Sequence, residues 1–172
     1  MPNRSLELEP LPGYDPAVGV WLAALQEART RTKARVHDLA PAALDWTGDG
    51  LVNSIGTLLA HVAAIEMDWL FTEICEQAIP ADVLALLPPD VRTADGRLTP
   101  VVGLPLVEHV RRLDEARAVL LERAADLDAT DLHRVRRLER CDVTPAWVFH
   151  HLLQHEAEHR AQIALLRARA GA

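Results

Sequence analysis

The sequence has few aromatic residues and few cysteines, and each shortage excludes a class of protein. Aromatic residues make up only 4% of the 172 residues, whereas alanine and leucine abound, which favours helix over sheet. The two cysteines, Cys75 and Cys141, are too few and too far apart for a disulfide framework or a paired-cysteine metal site. Reduced thiols are typical of a cytoplasmic protein, and the cytoplasm is therefore the expected location.

The sequence also lacks a long apolar run and an excess of positive charge. No stretch of about 18 apolar residues occurs, and Met1 to Gly13 lack the pattern of a signal peptide, so no membrane partner is expected. The net charge is −7 with histidine neutral, opposite to the usual balance of a nucleic-acid-binding protein, and no nucleic-acid partner is expected. The arginine-rich run from Arg134 to Arg140 is interpreted as a solvated surface segment or interface rim, with an anion or nucleic-acid site as the alternative.

Apolar residues recur at helical spacing in four segments, which predicts a single all-α domain over residues 1–172. The four helices are expected at about Pro16–Leu39, Asn53–Ala78, Pro105–Ala125 and Thr144–Arg169. Each of the first, second and fourth begins with a residue that can cap a helix, followed in two cases by proline. The short first connection predicts antiparallel neighbours, and the long proline-containing stretch 79–103 allows the third helix to run parallel to the second.

The last helix contains two histidines, His155 and His159, four residues apart on one side. Large residues recur there in steps of four and three, at Val148, Leu152, His155, His159, Gln162 and Leu166, which is the spacing of a bundle seam. A buried imidazole without a partner costs about 1–3 kcal/mol. Two such groups facing one point predict a metal ion with a third ligand from another helix, and a histidine pair packed in an apolar core is the alternative.

His61, at the edge of the apolar stripe of the second helix, is the candidate third ligand. His151, His155 and His159 form a continuous row, but His151 and His159 are separated by about 12 Å of helical rise and cannot bind one ion together. If the second and fourth helices are antiparallel, His155 and His159 are the histidines of the fourth helix that lie nearest to His61 in height along the bundle axis, and we call this the level argument. His109 shares no spacing with the other histidines and is interpreted as a surface residue.

Two stretches of the chain resemble the DinB/YfiT-like superfamily of metal-binding four-helix bundles. They are residues 53–69, which contain His61, and residues 144–162, which contain the family's His-x-x-x-His-Arg-x-Gln pattern as His155, His159, Arg160 and Gln162. The resemblance implies an up-down-down-up bundle with long crossover connections, a divalent metal held by the three histidines, and a homodimer. Characterised relatives include transferases and isomerases that use a low-molecular-weight thiol.

Three neutral imidazoles leave a coordination position open, as in catalytic metal sites. Zinc is the first choice and nickel the second, because imidazole suits both. The first functional hypothesis is an enzyme in which the metal presents a small-molecule thiol to an electrophile. Glu66, Glu156 and Glu158 are candidates for orienting the imidazoles, although solvated surface carboxylates are the first interpretation of each.

Two other functions remain open. His155 to His159 also matches the H-E-x-x-H pattern of zinc hydrolases, in which Glu156 would activate water. Only 13 residues follow His159, which leaves little room for a downstream third ligand, and no strand is evident for binding a peptide. The remaining hypothesis is a metal-binding stress-response module without turnover, in which the metal stabilises the bundle or senses a small ligand.

Overall fold

A computed structural model describes residues 6–48, 53–138 and 141–171. The helices are α1 (Pro16–Val36), α2 (Pro41–Asp45), α3 (Ile55–Trp69), α4 (Ala81–Leu84), α5 (Leu106–Ala124), α6 (Ala129–Leu132) and α7 (Pro145–Ala170). A π-helical turn, Leu70–Ile74, continues α3 directly. Two short strands, β1 (Arg136–Arg137) and β2 (Asp142–Val143), form an antiparallel pair. The protein is therefore mostly helical, as the composition predicted.

Helices α1, α3 and α7 begin close to the predicted positions, and a capping side chain forms a hydrogen bond at the start of each. Asp15 accepts a hydrogen bond from the N–H of Ala17 at 2.8 Å, and Ser54 accepts one from Thr57 at 3.1 Å. Thr144 caps α7 in the same way, before a proline in the first turn. At the other end of α7, Gly171 adopts a left-handed conformation with φ of 71°, which terminates the helix.

Several boundaries differ from the prediction. Helix α1 ends at Val36 rather than at the predicted Leu39, and Pro41 opens the short helix α2 as its first residue. This position suits proline because the first N–H groups of a helix have no internal partner. The connection between the third and fourth predicted helices contains α6 and the β1–β2 pair, which are too short to give a periodic signal in the sequence.

The long helices share one hydrophobic core. Helix α1 packs mainly on α7, α3 packs on α5, and α7 also packs on α3. Residues 55–74 form the one stretch, within the described ranges, that is long and apolar enough to cross a membrane, and 78% of that window is buried inside the protein. Such burial fits the core helix of a soluble protein.

His109 is buried in this core and the prediction of a surface position was wrong. Its exposed fraction is 2%, and its ring lies against the start of α3 at Gly56. A Cβ atom on Gly56 would lie 3.0 Å from Nε2 of His109, so only glycine allows this approach without a shift. The helical stripe through Leu113, Ala116 and Leu120 would have indicated this position, since His109 lies one turn before Leu113 on the same side.

Candidate metal centre

The structure brings His61, His155 and His159 together at the contact between α3 and α7. His61 is 5% exposed, whereas His155 and His159 are half-buried. The Nε2 atom of His155 lies 3.1 Å from Nε2 of His61 and 3.0 Å from Nε2 of His159. One ring nitrogen from each residue lies within 4.8 Å of the other two, and the ring centroids are 4.4–5.0 Å apart.

Two of these distances are close to those expected around a shared metal ion. Zinc–imidazole bonds of about 2.0–2.1 Å with tetrahedral angles place neighbouring ligand nitrogens about 3.3 Å apart. The two nitrogen pairs centred on His155 fall close to that value. The group is compatible with a divalent ion that would replace the N···N contacts by three bonds.

The protonation of the rings also suits a metal ligand. Burial is the main cause that lowers the pKa of His61 to about 4, followed by the charges of His159 and Arg92. Burial likewise lowers the pKa of His155 to about 3, with further contributions from His159 and His61. Both imidazoles are therefore neutral at pH 7 and present a lone pair.

Gln162 orients one of the three rings. Its side-chain Oε1 lies 2.9 Å from Nδ1 of His159, so Nδ1 donates this hydrogen bond and Nε2 is left as the metal-facing atom. Arg160 has a different role, because its guanidinium donates to the carbonyl of Ala28 at 3.2 Å and joins α7 to α1. The orienting group is thus the glutamine of the family pattern, and none of the predicted carboxylates occupies this position.

The fully buried stripe of α7 differs from the predicted seam. It contains Val148, Leu152, Glu156, Ile163 and Leu166, whereas Gln162 is exposed. The two histidines were expected inside this stripe, but they lie at its edge, where one side faces α3 and the other remains accessible. The offset arises because an α-helix has 3.6 residues per turn. A spacing of three and four residues therefore identifies the buried side of the helix only to within about one residue.

The remaining histidines of α7 take other partners. His151 stacks on Trp147, with ring centroids 5.1 Å apart and an angle of 7° between the planes, and it lies outside the three-histidine group. His150 contacts Trp21 edge to face at 6.4 Å. The pair 155/159 rather than 151/155 therefore meets His61, as the level argument predicted.

Glu66 and Glu156 are neither solvated nor hydrogen-bonded to the histidines, and both interpretations from the sequence were wrong. They lie with Arg29 and Arg117 in the bundle centre, and none of the four residues is more than 3% exposed. Arg117 Nε donates to Glu66 Oε1 at 2.8 Å, and Arg29 Nε donates to Glu156 Oε1 at 3.0 Å. Glu158 is exposed, as expected of a solvated carboxylate. We call Arg29, Glu66, Arg117 and Glu156 the charged tetrad.

The charged tetrad takes one residue from each of α1, α3, α5 and α7. Burial alone would raise the pKa of Glu66, but the charges and hydrogen bonds of Arg117 and Arg29 outweigh it and lower the pKa to about 2. Each residue occupies a core position where leucine or isoleucine is expected. Arg29, for example, continues the stripe of Leu22, Leu25 and Val36, and this charged interruption was the signal in the sequence that could have revealed the tetrad.

Comparison with known proteins identifies a family for most of the chain. The family model described as the DinB superfamily matches residues 24–163, a range that includes all three histidines and the charged tetrad. No curated protein matches the chain.

Proposed function

Because this chain belongs to the DinB superfamily, we propose that His61, His155 and His159 bind one divalent metal ion and that the centre catalyses thiol transfer. The observation that carries the proposal is the grouping of the three rings at the α3–α7 contact, where Nε2 of His155 lies 3.1 Å from Nε2 of His61 and 3.0 Å from Nε2 of His159. Zinc is the first choice of metal and nickel the second. A low-molecular-weight thiol and an electrophile are the proposed substrates.

The three rings favour a cation over a network of hydrogen bonds. Nε2 of His155 is close to two other ring nitrogens at once, and His159 uses its own N–H at Nδ1 towards Gln162. Neutral rings can satisfy only one of the two short N···N contacts, because Nε2 of His155 has either one N–H to donate or one lone pair to accept with. A single cation satisfies all three lone pairs instead.

The chain's own residues would prepare the site in three ways. Burial keeps His61 neutral at neutral pH, Gln162 fixes the tautomer of His159, and the half-buried faces of His155 and His159 leave the centre accessible to a small molecule. A bound divalent metal would lower the pKa of a thiol and so supply a thiolate nucleophile at neutral pH.

The buried carboxylate of Glu156 argues against the zinc hydrolase alternative. That reaction requires the glutamate of H-E-x-x-H to reach the metal-bound water. Here Oε1 of Glu156 accepts from Arg29 at 3.0 Å, and Oε2 lies 3.3 Å from Arg29 and 3.4 Å from Arg117. Both oxygens are therefore held by guanidinium groups of the bundle centre and are not available to a metal-bound water.

We also propose that the chain is one up-down-down-up bundle, cytoplasmic, and a homodimer as the family resemblance implies. The shared core supports a single domain. Helix α5 runs parallel to α3 and its π-helical extension, as the contacts Gly56–His109 and Phe71–Arg123 indicate. Helix α7 runs parallel to α1, as the contacts Trp21–His150 and Arg35–Arg167 indicate. Helices α3 and α7 are antiparallel, since His61 contacts His159 while the later residue Trp69 contacts the earlier residue Trp147.

Metal analysis and a transfer assay test the proposal. We expect freshly purified protein to contain about one divalent ion per chain, and metal-loaded protein to accelerate the reaction of a cellular thiol with monochlorobimane. In that reaction a carbon–sulfur bond forms, chloride leaves with the electron pair of its bond, and the thiol proton passes to solvent. Metal binding without acceleration for any cellular thiol would favour the non-catalytic module, and absence of metal binding would overturn the proposal entirely.

A further inference from the structure

A row of aromatic rings leads along α7 to the three-histidine group. Trp147, His151 and His155 follow one another at intervals of four residues and so lie on the same side of the helix. The Trp147 and His151 rings are stacked 5.1 Å apart, and the centroids of His151 and His155 are 5.9 Å apart. Trp69 of α3 lies against the row, 5.3 Å from Trp147 and 4.8 Å from His151. We call Trp69, Trp147 and His151 the aromatic platform.

The outer end of the platform is open to solvent. Trp147, one of four tryptophans in the chain, is 45% exposed. It lines a surface cavity of about 230 Å³ together with Val135, Asp142, Val143 and Thr144. The inner end reaches His155, whose ring belongs to the metal centre. The platform therefore extends from a surface cavity to the candidate metal without a break in ring contacts.

Packing alone does not account for these rings. The other three tryptophans of the chain pack against the core and are half-buried, whereas Trp147 is 45% exposed. Trp147 instead presents part of its surface to the cavity, and its stacking on His151 holds it in one orientation. Exposed, pre-oriented aromatic faces are the usual means by which proteins hold flat ligands, because offset stacking favours planar π systems over saturated groups of equal size.

We propose that the aromatic platform binds the flat, unsaturated or aromatic part of the electrophile, while its reactive atom reaches the metal centre. The inference rests on the proposed function for the reaction, but it makes a separate claim about binding. It assigns Trp147 as a specificity-determining residue, with Trp69 and His151 fixing its position. It also predicts discrimination against compact or saturated electrophiles.

Binding is tested first, with a probe that cannot react. Benzenesulfonate and cyclohexanesulfonate carry the same anionic group on a flat and on a saturated six-membered ring, and equilibrium dialysis against the full chain measures the affinity of each. We expect the flat probe to bind roughly two- to tenfold more tightly. The Trp147→Leu variant should lose this preference, Trp147→Phe should retain most of it, and Trp21→Leu, a half-buried tryptophan outside the platform, should leave it unchanged.

Catalysis provides the second readout. With metal-loaded protein, Trp147→Leu should raise KM for the flat electrophile monochlorobimane roughly tenfold with little change in kcat, and should leave KM for the compact electrophile iodoacetamide unchanged. Equal affinity for the two sulfonates, or an unchanged preference in folded Trp147→Leu protein, would overturn the inference. Preference for the flat probe in a protein that transfers no thiol would overturn the proposed function and leave the platform standing.

Discussion

Arg29 donates a hydrogen bond from Nε to Oε1 of Glu156 across the bundle core, at 3.0 Å, and the two residues are 127 positions apart in the chain. Glu156 directly follows the metal-site residue His155 in the sequence. The helix turns successive side chains by about 100°, so His155 faces α3 while Glu156 faces the centre. One short stretch of α7 thus supplies both the metal centre and the charged tetrad.

Replacing Glu156 by Gln should lower stability and leave metal content unchanged. Loss of one buried charge leaves the arginines of the tetrad incompletely paired, which costs about 3–5 kcal/mol when a buried ion pair is broken. The melting temperature should fall by roughly 6–20 °C in a domain of this size. Calorimetry and metal analysis of the same sample measure the two quantities.

The matched control removes one charge of each sign. The double variant Arg117→Met with Glu156→Leu leaves Arg29 with Glu66, and it should be more stable than Glu156→Gln because no unpaired charge remains. Complete loss of thiol transfer in folded Glu156→Gln protein would contradict the structural role and would restore the carboxylate as a candidate catalytic group.

Replacing His61 by Ala should remove the metal. Only two neighbouring imidazoles of α7 would remain, and removal of a direct ligand should reduce affinity by more than the 10–100-fold that is typical of an outer hydrogen-bond partner. Metal content per chain, measured after dialysis, reports the result. His150→Ala is the control, because His150 contacts Trp21 instead of the centre. Retention of one metal per chain in His61→Ala would exclude His61 as a ligand.

Gln162→Leu should weaken metal binding by about 10–100-fold, because Nδ1 of His159 loses its acceptor and the ring is no longer fixed in one tautomer. Competition with a chromogenic chelator measures the affinity. Gln154→Leu is a matched control, since Gln154 is an exposed glutamine one residue before His155. Equal losses in both variants would show that the effect comes from the helix surface rather than from the hydrogen bond.

The metal-free protein should lose stability as the pH falls from about 6.5 to about 4. The unfolded chain takes up protons on its histidines near pH 6.5, whereas the folded-state pKa is about 4 for His61 and about 3 for His155. The unfolded state therefore binds more protons within this window, which favours unfolding. Glu66, whose folded pKa is about 2, keeps its stabilising contribution down to about pH 4.5.

Thermal unfolding between pH 7.5 and pH 4.5 tests this dependence. The slope should be smaller in His155→Phe, because one of the groups that take up protons on unfolding is absent. A melting temperature of the metal-free protein that stays constant through the window would show that the rings do not have lowered pKa values in the folded state.

The sequence by itself determined the four long helices and predicted the three candidate histidines. Helical periodicity and capping residues such as Ser54 and Thr144 depend on neighbours within a few positions, so they can be read locally. The spacing of His155 and His159 likewise places both rings on one side of a single helix. The third histidine, His61, was identified only by its stripe and by the family resemblance, because its partners are 94 or more positions away.

Only the tertiary structure decided what faces what across the bundle. Periodicity defines a stripe but leaves its rotation uncertain by about one residue, and that uncertainty exchanges the environments of His155 and Glu156. Whether a carboxylate is solvated or buried depends on side chains from other helices, here Arg29 and Arg117, whose positions are set by packing of the whole core. The burial of His109 and the stacking of Trp147 on His151 depend on the same long-range packing, which no local pattern encodes.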